Sequence, residues 1–588
     1  MIVRMKKVTV ITQAKDALSA VSRLRSLGVV HVEDRQPPRG KDISSLQEDI
    51  ALLESTLGIL EKPEFKNAVG FKKGKYIVDW KLAANRIMEL QKRLDHLQEY
   101  SRRLNLKIKE WEAWGDFDPD AVRSLAEKNV YMKFYKIPKG ELGKIPPDVI
   151  VKTVFYTNGF AGCVVISKNN VIIPFNEIIL PESGLSQIRS RAAEDTQIIQ
   201  SIKAEILKHT SWRGGFIRIK KAFVKELEFH EVLRGMGQDG RLSYLTGYIP
   251  HNAAAVIRDT AGNEKWGLIV DDPSEDDNIP TLIRNPRWIS IISPVFKLIE
   301  TVPGYRELDI SLFFLIFLSI FFGILIGDAG YGLIFTILTF IAHMKFRNRI
   351  KDVSVFVLFY LLSSCAIIWG VLSGTFFGQQ WFGQSLKPLL PALRNDQSVQ
   401  AFCFFVGAVH LSIGHLWRVI VKLPSLAALA DAGWVSILWG GFFLAKTLIL
   451  GHAFPVFGKL LFLGGIPLVI LFTKPSKNLL KGMSFGLGSL LLNIVNSFTD
   501  IVSYIRLFAV GLATVAIADA FNNMAMDVGY NGFAASLLTS AILLLGHGLN
   551  IVLGPMSVIV HGVRLNVLEF CNHADIKWSG FSYRPLKE

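Results

Sequence analysis

Cysteine is scarce in this chain, and nothing in its placement suggests a metal or a disulfide framework. Only Cys163, Cys365, Cys403 and Cys571 occur in 588 residues. They are scattered, with no C-x-x-C pair and no Cys/His cluster at ligand spacing. The opening MIVRMKKVTVITQAKD has basic residues but no apolar core, so it does not read as a cleaved signal peptide. A P-loop, a G-x-G-x-x-G fingerprint and a nucleophile elbow are all missing from the first half, which excludes nucleotide chemistry by the usual devices. Neither a cofactor nor a bound metal is expected.

Charge is unevenly distributed. Up to about residue 300 the sequence is charged and periodic, and from Ile310 onward long apolar runs alternate with short basic loops. That contrast divides the chain into a soluble part, 1–300, and a membrane part, 301–588. The formal charge of +15 does not call for nucleic acid, because a polytopic membrane protein gathers Lys and Arg in its cytoplasmic loops.

The soluble part opens as strand, helix, strand: Lys7 to Thr12, Ala14 to Leu27, then GVVHVED from Gly28. The period then changes. Ile43, Leu46, Ile50, Leu53, Leu57 and Leu60 follow the three-four spacing of a coiled-coil seam. Ile87, Leu90, Leu94, Leu97, Leu104, Ile108 and Trp111 repeat it with Ser101 as a polar defect. Leu185, Ile188, Ala192, Ile199, Ile202 and Ile206 do so more weakly around Asp195. Strand-rich blocks lie at about 129–180 and around LSYLTGYIP, HNAAAVIRDT and WGLIVD. The simplest arrangement is an antiparallel coiled-coil arm, with helices at about 41–114 and 185–234, joining small α/β lobes.

Hydropathy marks eight segments, near 309–326, 328–344, 354–376, 400–420, 432–452, 456–473, 484–527 and 534–563. The last two exceed the ~20 residues a bilayer needs, which implies steep tilt. Lys345, Arg347, Arg349, Lys351, Arg418, Lys422, Lys474, Lys477 and Lys481 fall in alternate loops, and the opposite loops hold little beyond Lys387 and Arg394. Both ends are therefore expected in the cytoplasm.

A charge at mid-bilayer costs about 2.5–3.5 kcal/mol on insertion scales, so an ionisable residue there is a functional candidate. Arg506 stands in the middle of the seventh segment, in NIVNSFTDIVSYIRLFAVGLATVAIADAF. At ~100° per residue Thr499 and Ser503 share its face, while Asp500 and Asp519 point away. Ala509, Gly511 and Ala513 leave room for another helix to approach closely. The eighth segment contributes His547, Asn550, His561, Arg564 and Glu569, with His561 and Arg564 three apart on one face. The histidines read more readily as packing or helix-linking residues than as proton relays, and Asp328, in a Gly-rich turn, as a turn residue.

These motifs resemble the membrane stator subunit of V/A-type ATPases and ATP synthases, called subunit a or I. SYIRLFAVGLA matches the family's penultimate-helix motif and HGVRLNVLEF its last-helix motif; IGDAGYG, GTFFG and NPRWISIISPVFKLIETVPGYRELD agree as well. The likeness covers essentially the whole chain. It implies that Arg506 faces a carboxylate on a rotating proteolipid (c or K) ring, that Arg564 supports it, and that Glu569 is the acidic residue of the second motif. His561, Asn550, Ser503, Thr499, Asp500 and Asn496 become candidates for the ion path, for H⁺ or Na⁺. The same resemblance implies peripheral-stalk E/G subunits, a central-stalk d/C subunit and separate A and B catalytic subunits as partners, in a prokaryotic cell membrane. Thr514 and Gly554 stand where eukaryotic relatives carry His and Glu, which points to the prokaryotic branch. A secondary transporter would usually show internal repeats, and none is evident here. A scaffold would have no reason to bear the cost of a central arginine.

Overall fold

The computed structural model describes residues 1–33, 36–66, 79–146, 148–157, 159–171, 173–348, 350, 352–378, 389–475 and 479–587. Arg349, Lys351, Lys387 and Lys477 of the expected loops, and 67–78 of the expected arm, lie outside the described residues. Two compact units result: Met1–Ile11 with Leu27–Glu33 and Thr246–Lys587, and Thr12–Ser26 with Asp34–Leu245.

The second unit is built on antiparallel helix pairs. Lys41–Leu60 runs beside Arg213–Gly235, and Trp80–Trp111 beside Leu185–His209. Direction follows from the ion pairs: Arg234 reaches Asp42, Lys220 reaches Glu54, and Arg213 reaches Glu61, so one helix descends as the other rises. Arg86–Glu205 and Arg189–Glu112 repeat that order in the other pair. These exposed pairs each contribute at most about 1 kcal/mol; the apolar seam does more. Leu53, Leu57, Leu60, Ile87, Leu90, Leu94, Ile202 and Ile206 share one buried cluster, so most of the three-four pattern faces inward. Leu46, Ile50, Leu97, Ile108 and Ile199 are only partly buried. Ser101 and Asp195, the two polar defects, are buried as well, Asp195 with Arg191 Nε 3.5 Å from its carboxylate. Beyond the helices, an antiparallel sheet has the order Ile150–Thr157, Phe160–Ser167, Tyr131–Pro138, Glu177–Ile178.

In the first unit Lys7–Ile11 pairs antiparallel with Gly267–Asp271, and His31–Glu33 with Thr246–Tyr248. The C-terminal tail returns to this sheet. Thr281 N–H donates to Phe581 O at 2.8 Å, Tyr583 N–H donates back to Thr281 O at 3.0 Å, and Leu586 N–H to Val30 O at 2.9 Å. The Tyr583 hydroxyl donates to Val29 O.

Among the described residues, eight apolar helical segments follow the short Ser290–Ile299, near their expected bounds except that the last runs on to Ala574 rather than ending near 563. They are Ser311–Ile326, Ala329–Phe346, Ser354–Ser373, Asp396–Lys422, Ala428–Leu450, Val456–Phe472, a split helix of Leu479–Ser503 and Ile505–Val528, and a last helix from Phe533 to Ala574. Among the described residues six are long and apolar enough to cross a membrane. The other two, Ser311–Ile326 and Val456–Phe472, have 16 and 17 residues. At ~1.5 Å per residue they reach roughly 25 Å against a hydrocarbon core of ~30 Å. The split helix spans 49 residues from Leu480 to Val528, roughly twice what a crossing needs.

The two glycine motifs turn out to be one device. Asp328 is fully buried; its Oδ1 accepts the N–H of Gly330 and Tyr331, capping Ala329–Phe346, while Oδ2 accepts the N–H of Gly378. IGDAGYG and GTFFG are thus joined through one carboxylate, and Gly378 holds φ +69°, where a side chain is strained.

His31 supplies a test of how the tail is held. Its Nδ1 lies 3.0 Å from both the amide nitrogen and the carbonyl oxygen of Arg584. Burial pushes the His31 pKa below its ordinary value of about 6.5. A depressed histidine contributes stability that is complete above that ordinary value and is lost as pH falls towards the folded one. Hydrogen-exchange protection of residues 581–586, corrected for intrinsic rate, should therefore decline as pH is lowered from about 6.5, and should lose that dependence in His31→Phe.

Candidate functional site

Arg506 is two residues past a break in the split helix. At Tyr504 the α ladder gives way: Leu507 N–H donates to Tyr504 O at 3.0 Å rather than to Ser503 O. Arg506 Nε takes the freed Ser503 carbonyl at 3.0 Å. The seventh segment is therefore not the continuous helix that its hydropathy suggests, and its break anchors one edge of the guanidinium.

The opposite edge meets Glu569. Arg506 Nη2 donates to Glu569 Oε1 at 2.5 Å, and Arg564 Nε lies 3.7 Å from the same oxygen. Glu569 is 7% exposed, Arg506 23% and Arg564 56%. A buried carboxylate between two guanidiniums leaves a cluster of net charge +1. At α spacing Glu569 would point about 140° from Arg564. The chain is instead π-helical over Val558–Gly562 and Leu565–Glu569, and the wider turn brings the fifth residue round.

Tyr504, at the break, is fully buried, and its hydroxyl shares a 2.8 Å hydrogen bond with His410 Nδ1. The imidazole is stacked between Phe317 and Phe570 at centroid distances of 3.8 and 4.4 Å. A Cβ at Gly407 would lie 2.7 Å from the Tyr504 ring, so the glycine admits the phenol.

Among the described residues, a cavity meets the split helix on each side of Arg506 along the chain. The larger, about 430 Å³, meets Asn493, Asn496 and Asp500 before the break, with His415, Asp431 and His573 across from them. The smaller, about 300 Å³, meets Phe508, Gly511 and Val515 after it, with Thr375 and Asp396 opposite.

The larger cavity is walled by a chain of charged groups. Lys422 Nζ donates to Asp431 Oδ2 at 2.6 Å, and Arg418 Nε lies 3.1 Å from Oδ1. His415 Nδ1 is 3.3 Å from Asp431 Oδ1, His415 Nε2 is 2.9 Å from His573 Nδ1, and His573 Nε2 is 3.1 Å from Asp500 Oδ2. Beyond the break runs a second, neutral chain. Asn550 donates to the Tyr331 hydroxyl at 3.0 Å, which leaves the Tyr331 proton for His547 Nδ1 at 2.7 Å. His547 Nε2 then faces Asn522 Oδ1 at 3.1 Å.

The candidates of the sequence thus separate. Arg506, Arg564, Glu569 and Ser503 meet at the break. Asp500 and Asn496 line the larger cavity. Asn550 belongs to the neutral chain and also donates to Thr514 O at 2.9 Å. Thr499 is exposed and donates to its own helix at Val495 O, and His561 Nδ1 is buried with no hydrogen-bond partner among the described residues. His410, His415, Asp431 and His573 were not singled out. An ionisable side chain inside an apolar segment is a functional candidate even where it can turn neutral, and the two histidines of HLSIGH carried that signal.

Gly511 sets the approach of the first apolar helix, since a Cβ there would fall 2.4 Å from Ile324 O. Gly511→Ala should lower stability by about 1–3 kcal/mol through overpacking, read as a drop in Tm of the detergent-solubilised chain. Gly488→Ala, where a Cβ meets nothing within 4 Å, is the control and should leave Tm unchanged or raise it.

No family model matches the chain. Among known proteins, the V-type ATP synthase subunit I of Borreliella burgdorferi is 30% identical over 622 residues, covering 100% of both chains. The V-type ATP synthase subunit I 1 of Treponema pallidum is 29% identical, again over 100% of both. The A-type ATP synthase subunit I of Methanocaldococcus jannaschii is 24% identical, covering 90% of this chain and 86% of its own. A crystal structure of the cytoplasmic N-terminal domain of subunit I, homolog of subunit a, of V-ATPase aligns with 45% of this chain and 99% of its own, at 14% identity and a TM-score of 0.24.

Proposed function

Because the chain belongs to the V-type and A-type ATP synthase subunit I family, we propose that it is the membrane stator of a rotary ATPase and that Arg506 separates two ion half-channels. The reading rests on one observation: the two cavities on the split helix reach it on opposite sides of Arg506 along the chain. Residues 301–588 form the ion-translocating part, with eight crossings and both termini in the cytoplasm. In that orientation the larger cavity, next to the basic end of Asp396–Lys422, opens to the cytoplasm and the smaller one to the far side.

An ion enters one cavity, loads a carboxylate on the proteolipid ring, travels with rotation and leaves by the other. The guanidinium keeps its charge at any working pH, favours the unloaded carboxylate and blocks direct passage between the cavities. The ring packs along the face of Ile505–Val528 where Ala509, Ala513, Ala516 and Ala520 are exposed, small enough for close helix approach. Arg564 shares Glu569 with Arg506 and supports it. Residues 1–300, with the antiparallel helix pairs as a coiled-coil arm, anchor the E/G peripheral stalks and meet the d/C central-stalk subunit. ATP chemistry belongs to the A and B subunits.

The experiment is ATP-driven ion uptake into vesicles holding the assembled complex, with ATP hydrolysis followed in parallel. Arg506→Ala should reduce uptake to about a hundredth or less, the factor for losing some 3 kcal/mol. Arg506→Lys should fail nearly as badly, because an ammonium is a point charge whose pKa falls on burial and whose geometry cannot span Ser503 and Glu569 together. Arg564→Ala, at an exposed residue, should reduce uptake only several-fold. Near-normal uptake by Arg506→Ala would remove it from the mechanism.

A further inference from the structure

The wall of the larger cavity holds a proton count that neutral side chains do not satisfy. Asp431, His415, His573 and Asp500 are joined by three contacts of 3.3, 2.9 and 3.1 Å. Each such hydrogen bond needs one proton. Two neutral imidazoles supply two, and the carboxylates supply none when ionised. The third bond is made only when the chain holds one further proton, carried on an imidazole of the pair or on Asp500 as the acid.

From this count we propose that the ion loaded through the larger cavity is the proton, and that His573 with Asp500 is the pair that takes it up. The proposal rests on the half-channel reading above and gives it a substrate. Both residues border the cavity, so water there can deliver a proton to them. The exchange is a single transfer: His573 Nε2–H passes its proton to the Asp500 carboxylate, leaving a neutral imidazole with its proton on Nδ1 and a carboxylic acid. That acid gives the proton to cavity water on the way to the ring and returns to the carboxylate. Nothing is oxidised or reduced, and the next proton from the cavity restores the starting state. His415 and Asp431 act as positioning residues. Asp431 fixes His415, and His415 Nε2 holds His573 Nδ1, which keeps Nε2 aimed at Asp500.

The charges on the same wall disfavour a metal cation. Asp431 and Asp500 give −2, Arg418 and Lys422 give +2, and the extra proton leaves the wall at +1. Asp431 is already engaged by Lys422 at 2.6 Å and by Arg418 at 3.1 Å. A sodium ion would have to shed water beside two fixed cations, and Asp500, the remaining carboxylate, is engaged by His573. A proton needs only a change of partner in bonds already present.

The assembled complex in vesicles should acidify its lumen on ATP addition, read with a pH-sensitive dye, and should take up no tracer sodium. His573→Ala should cut the acidification rate tenfold or more in a complex that assembles to the wild-type amount. Free imidazole at millimolar concentration, entering the space vacated beside the cavity, should restore a substantial part of it. Asp500→Asn, which keeps shape and removes the proton acceptor, should show the same loss without imidazole rescue. Sodium uptake in place of acidification would overturn the proposal. So would normal acidification by either variant, or a loss in His573→Ala that imidazole leaves untouched, which would make the role structural. If Arg506→Ala abolishes acidification while His573→Ala leaves it intact, only the loading pair falls. If Arg506→Ala leaves transport intact, the half-channel reading falls with it.

Discussion

A guanidinium cannot lose its charge inside a protein, and this constraint organises the membrane half. Lysine or histidine, when buried, escapes the desolvation cost by releasing a proton; arginine has no such exit. Burying Arg506 therefore obliges the surroundings to supply acceptors for several N–H groups within a few ångströms. Two local departures from α geometry provide them. The break at Tyr504 frees the Ser503 carbonyl for Nε, and the π turns of the last helix bring Glu569 to Nη2. Each departure gives up a regular backbone hydrogen bond, and a charge-assisted bond to the arginine offsets that loss. The break needs its own support, which the buried hydrogen bond between Tyr504 and His410 gives, with Phe317 and Phe570 closing on the imidazole.

The same constraint accounts for how polar groups are distributed around the split helix. Charged groups cluster on one side of Arg506, where Lys422, Arg418, Asp431, His415, His573 and Asp500 satisfy each other around an open cavity. Past the break, neutral donors and acceptors, Asn550, Tyr331, His547 and Asn522, form one directional chain, and Asp396 borders the smaller cavity. There Asp328 is spent on backbone N–H groups, which holds two turns together and leaves no free carboxylate oxygen. The two groups of polar residues along the helix thus differ in chemistry as well as in position.

How much of this was legible from the sequence depends on whether a feature is local. The three-four pattern of Leu53, Leu57, Ile87, Leu90, Ile202 and Ile206 required only a helix and a partner, and those residues are buried together. The apolar segments were readable because a bilayer imposes a length. Arg506, Arg564 and Glu569 were readable as candidates because charge is rare in apolar runs. Their mutual geometry was not, since an α period places Glu569 on the wrong side of Arg564 and gives no sign of a π turn. The break at Tyr504 was equally hidden, because Tyr504 is neither proline nor glycine and no breaker residue marks it. Asp431, His415 and His573 lie in three different segments of the sequence, and only the fold sets the two histidines beside the acid.

Glu569 bears on a harder requirement of the proposed mechanism, which is that Arg506 must attract a passing carboxylate and then let it go. Two opposite charges about 4 Å apart interact by about 4 kcal/mol at an effective dielectric of 20, and more strongly as water is excluded. An unopposed arginine would hold each ring carboxylate and stall rotation. With Glu569 already on Nη2, the incoming carboxylate meets a cluster of net charge +1 spread over Arg506 and Arg564. The pairing is also left incomplete, since Glu569 Oε2 is buried with no hydrogen-bond partner among the described residues. In the proposed mechanism the guanidinium would pass between two acidic partners, one fixed in its own chain and one arriving on the ring. A shallow exchange of this kind lets the charge act as a barrier between the cavities without becoming a trap.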